Sequence, residues 1–245
     1  MLSTEEFKAF AGEVVPFLHV TSRIDGEKHA DLLEKKGGRG FPYLVVMDAK
    51  GEVVSGVQER TVEGFRKAVK DAGDYATLLA KEKRTSAEEL RLIRLQHDMH
   101  KIEDDAARQR ANAIDVSDEA VKKDRDAFVF GLDIVAQMPK GKDSRDPAKR
   151  IAAGKTFHEW WKAGKEPTDE GLTQPFFILM LDYAESERDV ELFEKALGKL
   201  RELFGAKTEA AGFFKKQEER LEKLKAPAKP VGPDAPAPPA PEGGK

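Results

Sequence analysis

The sequence predicts a small α/β module followed by an all-α hairpin domain and a disordered Pro/Ala-rich tail. Three observations predict it. Short apolar runs separated by turn residues fill residues 14–57, long 3.6-period segments fill residues 84–226, and seven prolines crowd the last twenty positions. The boundaries read as 1–82, 84–226 and 227–245.

Ser3 or Thr4 ahead of Glu5-Glu6, with Phe7 and Phe10 one turn apart, marks a first helix that ends near Gly12. Val14-Val15-Pro16-Phe17-Leu18-His19-Val20 follows as a continuous apolar run, the pattern of a buried strand with its proline near the start. A short helix over about 27–36 is stopped by Gly37-Gly38. The stretch GGRGFPYLVVMDAKGEVV, residues 37–54, then gives a bend, an apolar strand at 43–47, a polar turn and a returning strand at 52–57. Gly51 takes the left-handed position of that turn. A helix over about 61–80 closes the module.

Beyond residue 84 only helical periodicity is present. Leu92, Leu95, Met99, Ile102 and Ala106 predict one apolar stripe on one helix over 86–114. Further helices are predicted at about 117–137, 146–163, 173–185, 188–204 and 208–225, broken at Pro139-Lys140-Gly141, at 164–167 and at Gly205. Short connections between helices of this length imply stacked hairpins. No fixed repeat period is present.

Composition excludes several kinds of function. The chain holds 42 basic and 45 acidic residues, well mixed, so no basic stripe for nucleic acid stands out. It has no cysteine, which removes disulfides, thiol nucleophiles and thiolate metal ligation. No cofactor motif is visible. The longest apolar run, 176–181, is too short to span a bilayer. The first ten residues lack the apolar core of a signal peptide, and nothing in the chain assigns a compartment.

Other candidate residues have competing readings. His97, His100 and Asp104 fall on one predicted helix face, which a metal site requires, but such a cluster on a charged helix is more often a solvated face, and no metal is assigned. His19 reads as a core or edge histidine without a nucleophile partner. His158 beside Trp160-Trp161 reads as a packed helix interface rather than a pocket. The acids at 103–105, 124 and 126 read as hydrated or ion-paired helix surface.

Residues 4 to about 72 resemble the later part of a thioredoxin-family domain. Gly40-Phe41-Pro42-Tyr43-Leu44-Val45-Val46-Met47-Asp48 matches its proline loop and following strand, Gly51 its turn, and Val62 to Val69 its closing helix. The resemblance implies a cis bond before Pro42 and a groove bordered by Phe41, Pro42 and Tyr43 that holds an extended peptide. It also places a WCxxC motif and its strand upstream of the first helix, and neither is in this sequence. Without a thiolate there is no thiol–disulfide exchange.

Two strands are therefore expected to lose a shared neighbour, so that they either pair directly in a smaller sheet or leave edges open to another polypeptide or to self-association. The function expected is a redox-inactive protein- or peptide-interaction module. One alternative is the C-terminal portion of a secreted or periplasmic thiol-disulfide oxidoreductase whose CxxC lies upstream. The other is a helical scaffold with an α/β cap.

Overall fold

The computed structural model describes residues 3–20, 28–38, 40–57, 59–205 and 210–226. The tail at 227–245 and the start of the helix expected from residue 27 lie outside the described residues. The chain divides into two compact units, residues 1–132 and 133–245.

In the first unit, α1 (Glu5–Ala11) begins at Thr4, whose side chain accepts a hydrogen bond from the Phe7 N–H. Helix α2 (Leu32–Lys35) is short. Strands β1 (Val45–Met47) and β2 (Val53–Gly56) form an antiparallel hairpin, with a register shift between Val46 and Met47. The Asp48 carboxylate accepts from the Lys50 and Glu52 N–H groups, and Gly51 sits at φ 76°, so the turn is built as its sequence requires.

Helix α3 (Val62–Ala80) is capped by Thr61 and packs across the hairpin. Phe7 and Phe10 meet Phe65 at 5.3 and 5.7 Å between ring centres, which fixes α1 on α3. Arg66 of α3 also pairs with Glu13 just beyond α1, at 2.6 Å.

Two expectations for this unit need correction. The run 14–20 forms no strand: Val14 lies in a bend and 15–20 carry no regular secondary structure, and the sheet has two strands among the described residues. Among the described residues no strand pairs with it, and Val15, Phe17, Leu18 and Val20 stand exposed. The single helix expected over 86–114 is two helices, α4 (Ser86–Asp98) and α5 (Asp104–Asn112).

His100 has a left-handed backbone, φ 54°, and closes α4. The bend splits the expected stripe between two cores. Leu92, Leu95 and Met99 pack with Leu78 and Tyr75 of α3, while Ile102 packs with Ile93, Ala107, Phe128 and Leu132. Ala106 is exposed and Ala107 buried. Thr85 and Glu88 form a reciprocal capping box that starts α4. Phe128 and Leu132 belong to α6 (Glu119–Gln137), within which the division between units falls.

The second unit is helical. A 3-10 turn at Gly141–Arg145 leads into α7 (Pro147–Lys162), where Asp146 caps and Pro147 takes the first position. Then follow α8 (Glu170–Ser186), α9 (Val190–Phe204) and α10 (Ala211–Lys225), each packed on the helix before it. Asp169 and Asp189 cap α8 and α9. The core is aromatic and aliphatic: Phe157 stacks on Phe176 at 4.7 Å, and Phe177, Met180, Leu181, Phe193, Leu197 and Leu200 are fully or almost fully buried.

No helix among the described residues is long and apolar enough to cross a membrane.

Candidate protein-interaction site

The Phe41-Pro42 bond is cis, and Phe41 is 66% exposed. Tyr43 is anchored: its hydroxyl donates to the Lys36 carbonyl at 2.7 Å, and partial burial pushes its pKa above the ordinary phenol value. The three residues expected to border a groove thus sit together at the start of β1, with Phe41 turned to solvent.

The hydrogen-bond register of the hairpin shows which edge of β1 is open. The Val57 N–H donates to the Leu44 carbonyl, and Val45 lies opposite Gly56 and Val46 opposite Ser55. In an antiparallel pair, residues alternate between exchanging backbone bonds and facing away. Leu44 and Val46 therefore turn their backbone groups to β2, and Val45 turns its N–H and C=O to the other edge. Among the described residues no strand covers that edge.

Next in the same unit is the run after α1. Val15 is 93% exposed, Phe17 65%, Leu18 81% and Val20 55%. Four exposed apolar side chains within six residues are the kind of feature that marks an interaction site.

The remaining sequence candidates have structural partners. His97 Nε2 lies 2.9 Å from Asp104 Oδ1, bridging the end of α4 to the start of α5, and its ring meets Phe128 edge-on at 5.8 Å. His100 is carried out of the helix by its left-handed backbone, so the three residues do not share one helix face. No group of three or more ligating side chains among the described residues is arranged for a metal ion.

Trp160 stacks on Phe157 and Trp161 meets Phe177 edge-on, while the Trp161 indole N–H donates to Glu166 at 3.4 Å. That is helix packing. His158 lies 5.7 Å from the Tyr183 ring; burial, then Lys162, pushes its pKa below the ordinary value. Asp105 pairs with Arg108 and Asp126 with Arg125.

Sequence reasoning missed three ion-pair networks, because their members are distant along the chain. The Asp71 carboxylate, nearly buried on α3, accepts from Lys67 and from Arg91 of α4. Arg84 and Arg110 both hold Glu89 beside an open depression of 370 Å³. Burial alone would raise the Glu89 pKa, but its two guanidinium partners bring it below the usual value. Asp182 accepts from both Arg150 and Arg220. In each network the carboxylates already occupy the arginines.

Searches against protein-family models, curated proteins and solved structures find no match to this chain.

Proposed function

We propose that residues 1–132 form a non-catalytic protein-interaction module that takes an extended strand of a partner on the open edge of β1, beside Phe41, Pro42 and Tyr43. The observation that carries this reading is the unpaired edge at Val45 next to an exposed Phe41. Strand addition uses main-chain bonds for affinity and side-chain pockets for selectivity, and the edge offers both.

The resemblance of residues 4–72 to the later part of a thioredoxin-family domain belongs to the same proposal. It is supported by the order of α2, proline loop, hairpin and packed α3, and by the cis bond before Pro42. A chain with no cysteine has no thiol chemistry of its own, so binding is the activity left to that loop.

The test is an amide-shift titration of the full chain with extended, valine- and threonine-rich peptides. Shifts are expected at Phe41, Tyr43 and Val45, and Phe41→Ala is expected to weaken binding roughly tenfold through lost apolar burial. Peptides that bind elsewhere, or none that bind at all, would remove the reading.

A further inference from the structure

We infer that the strand taken up by the open β1 edge is residues 14–20 of a second copy of this chain, exchanged reciprocally so that two copies form a symmetric dimer. The inference rests on the proposal that β1 accepts a strand, and it names the occupant.

Donor and acceptor are both present on one chain: no described strand covers the edge of β1, and Val15, Phe17, Leu18 and Val20 are exposed. The acceptor is the edge at Val45, which keeps one N–H and one C=O pointing away from β2. The donor is the run 14–20, which holds no Asp, Glu, Lys or Arg and carries Val15, Phe17, Leu18 and Val20 exposed. A foreign peptide would fill only the acceptor, leaving Val15, Phe17, Leu18 and Val20 in water. A second copy covers both, and a two-fold arrangement covers both twice.

Backbone chemistry sets the register of the donor. Pro16 has no N–H, so its side of the strand cannot carry the ladder. Val15 and Phe17 therefore turn their backbone groups to the partner's β1, and the proposed register sets Phe17 opposite Val45. Pro16, Leu18 and Val20 point their backbone groups outward, where a proline is tolerated on an edge.

The area is of the right order. Phe17 and Phe41 from both copies together expose on the order of 400–650 Å² of aromatic surface. The valines, the leucine and the strand backbones of two copies extend this toward the ~1,200 Å² at which specific interfaces begin.

The test uses the absence of cysteine. Phe17→Cys and Val45→Cys chains, each with a single thiol, are mixed under mild oxidation and weighed intact. Paired residues across an antiparallel ladder stand about 5.5 Å apart at Cα, within disulfide reach. A mixed disulfide is expected in excess over either homodisulfide. In parallel, sedimentation of the unmodified full chain should show a concentration-dependent dimer, weakened roughly tenfold to a hundredfold by Leu18→Asp. Leu18 is exposed, so circular dichroism of that variant should match the wild type.

A chain that stays monomeric while valine- and threonine-rich peptides still shift Phe41, Tyr43 and Val45 overturns the second copy as occupant and leaves the strand-acceptor reading standing. A monomer that binds no peptide overturns both. A dimer indifferent to Leu18→Asp, or one giving no excess of mixed disulfide, overturns the exchange.

Discussion

Gly154 of α7 lies so close to Leu179 of α8 that a methyl group on its Cα would stand 2.0 Å from the Leu179 carbonyl oxygen. The obstacle is backbone, which cannot swing aside as a flexible side chain does. Gly154→Ala must push α7 away from α8 and loosen the Phe157–Phe176 stack one turn along. A cost of about 1–3 kcal/mol is expected, in the range of overpacked cores. Gly198, inside α9, has nothing within 4 Å of the same added atom. There alanine should stabilise by roughly 0.5–1 kcal/mol through helix propensity alone. Thermal unfolding of the two variants should move in opposite directions, and equal shifts would contradict the helix contact.

Asp182 joins three helices of the same unit. Its carboxylate accepts from Arg150 of α7 and Arg220 of α10, while Arg220 also reaches Glu185 and lies 5.5 Å from the Phe193 ring centre. The carboxylate is mostly buried, with 16% of the side chain exposed. Asp182→Asn removes the carboxylate that Arg150 and Arg220 share, with Arg220 keeping Glu185, and should cost about 1–3 kcal/mol. Arg150→Met and Arg220→Met, combined with Asp182→Asn in double-mutant cycles by urea unfolding, should each show coupling. Strict additivity would mean that the pairs contribute nothing.

These two sites show what the sequence leaves out. Helices α3 and α9 were legible because each carries a 3.6-residue period, and α7 and α8 because turn residues break the chain beside them, all local properties. The bend at 99–103 was not, because its left-handed residue is His100, and neither glycine nor asparagine marks the spot. The run 14–20 reads as a buried strand from its apolar residues, but a strand needs a neighbour, and a neighbour is not a property of seven residues. Phe41, Pro42 and Tyr43 entered as candidates through the resemblance of residues 4–72, not through a local chemical signal of their own. That Val45 faces the open edge required the register of β1 on β2.

His158 gives the second unit a pH dependence. Burial first, then Lys162, lowers its pKa from the ordinary 6.5, against weaker support from Asp189 and Glu159. The folded chain then holds fewer protons at this site than the unfolded chain as pH falls through 6.5, so acid favours unfolding there. The contribution is complete above that value, declines below it, and levels off beneath the folded pKa. The difference in Tm between wild type and His158→Gln should therefore narrow as pH falls from 7.5 through 6.5. A difference that does not change with pH would show that His158 is as exposed folded as unfolded.

His97 and Asp104 were the sequence's nearest approach to a metal site, and their geometry calls for a structural role. The 2.9 Å contact ties the last turn of α4 to the first turn of α5 across the bend, and the imidazole covers the edge of Phe128 in the core below. Asp104 also lies in the first turn of α5, where a negative charge is favourable. His97→Ala should lose the bond and the ring contact together, at about 1–2 kcal/mol. His100→Ala should cost much less, because His100 is exposed and contributes chiefly through its left-handed backbone. Added Zn²⁺ or Ni²⁺ should leave the Tm of the wild type where it was, since a ligand that binds only the folded chain must raise it. A metal-dependent rise that His97→Ala abolishes would reassign the pair as ligands, and an unchanged Tm in His97→Ala would remove its role as the tie across the bend.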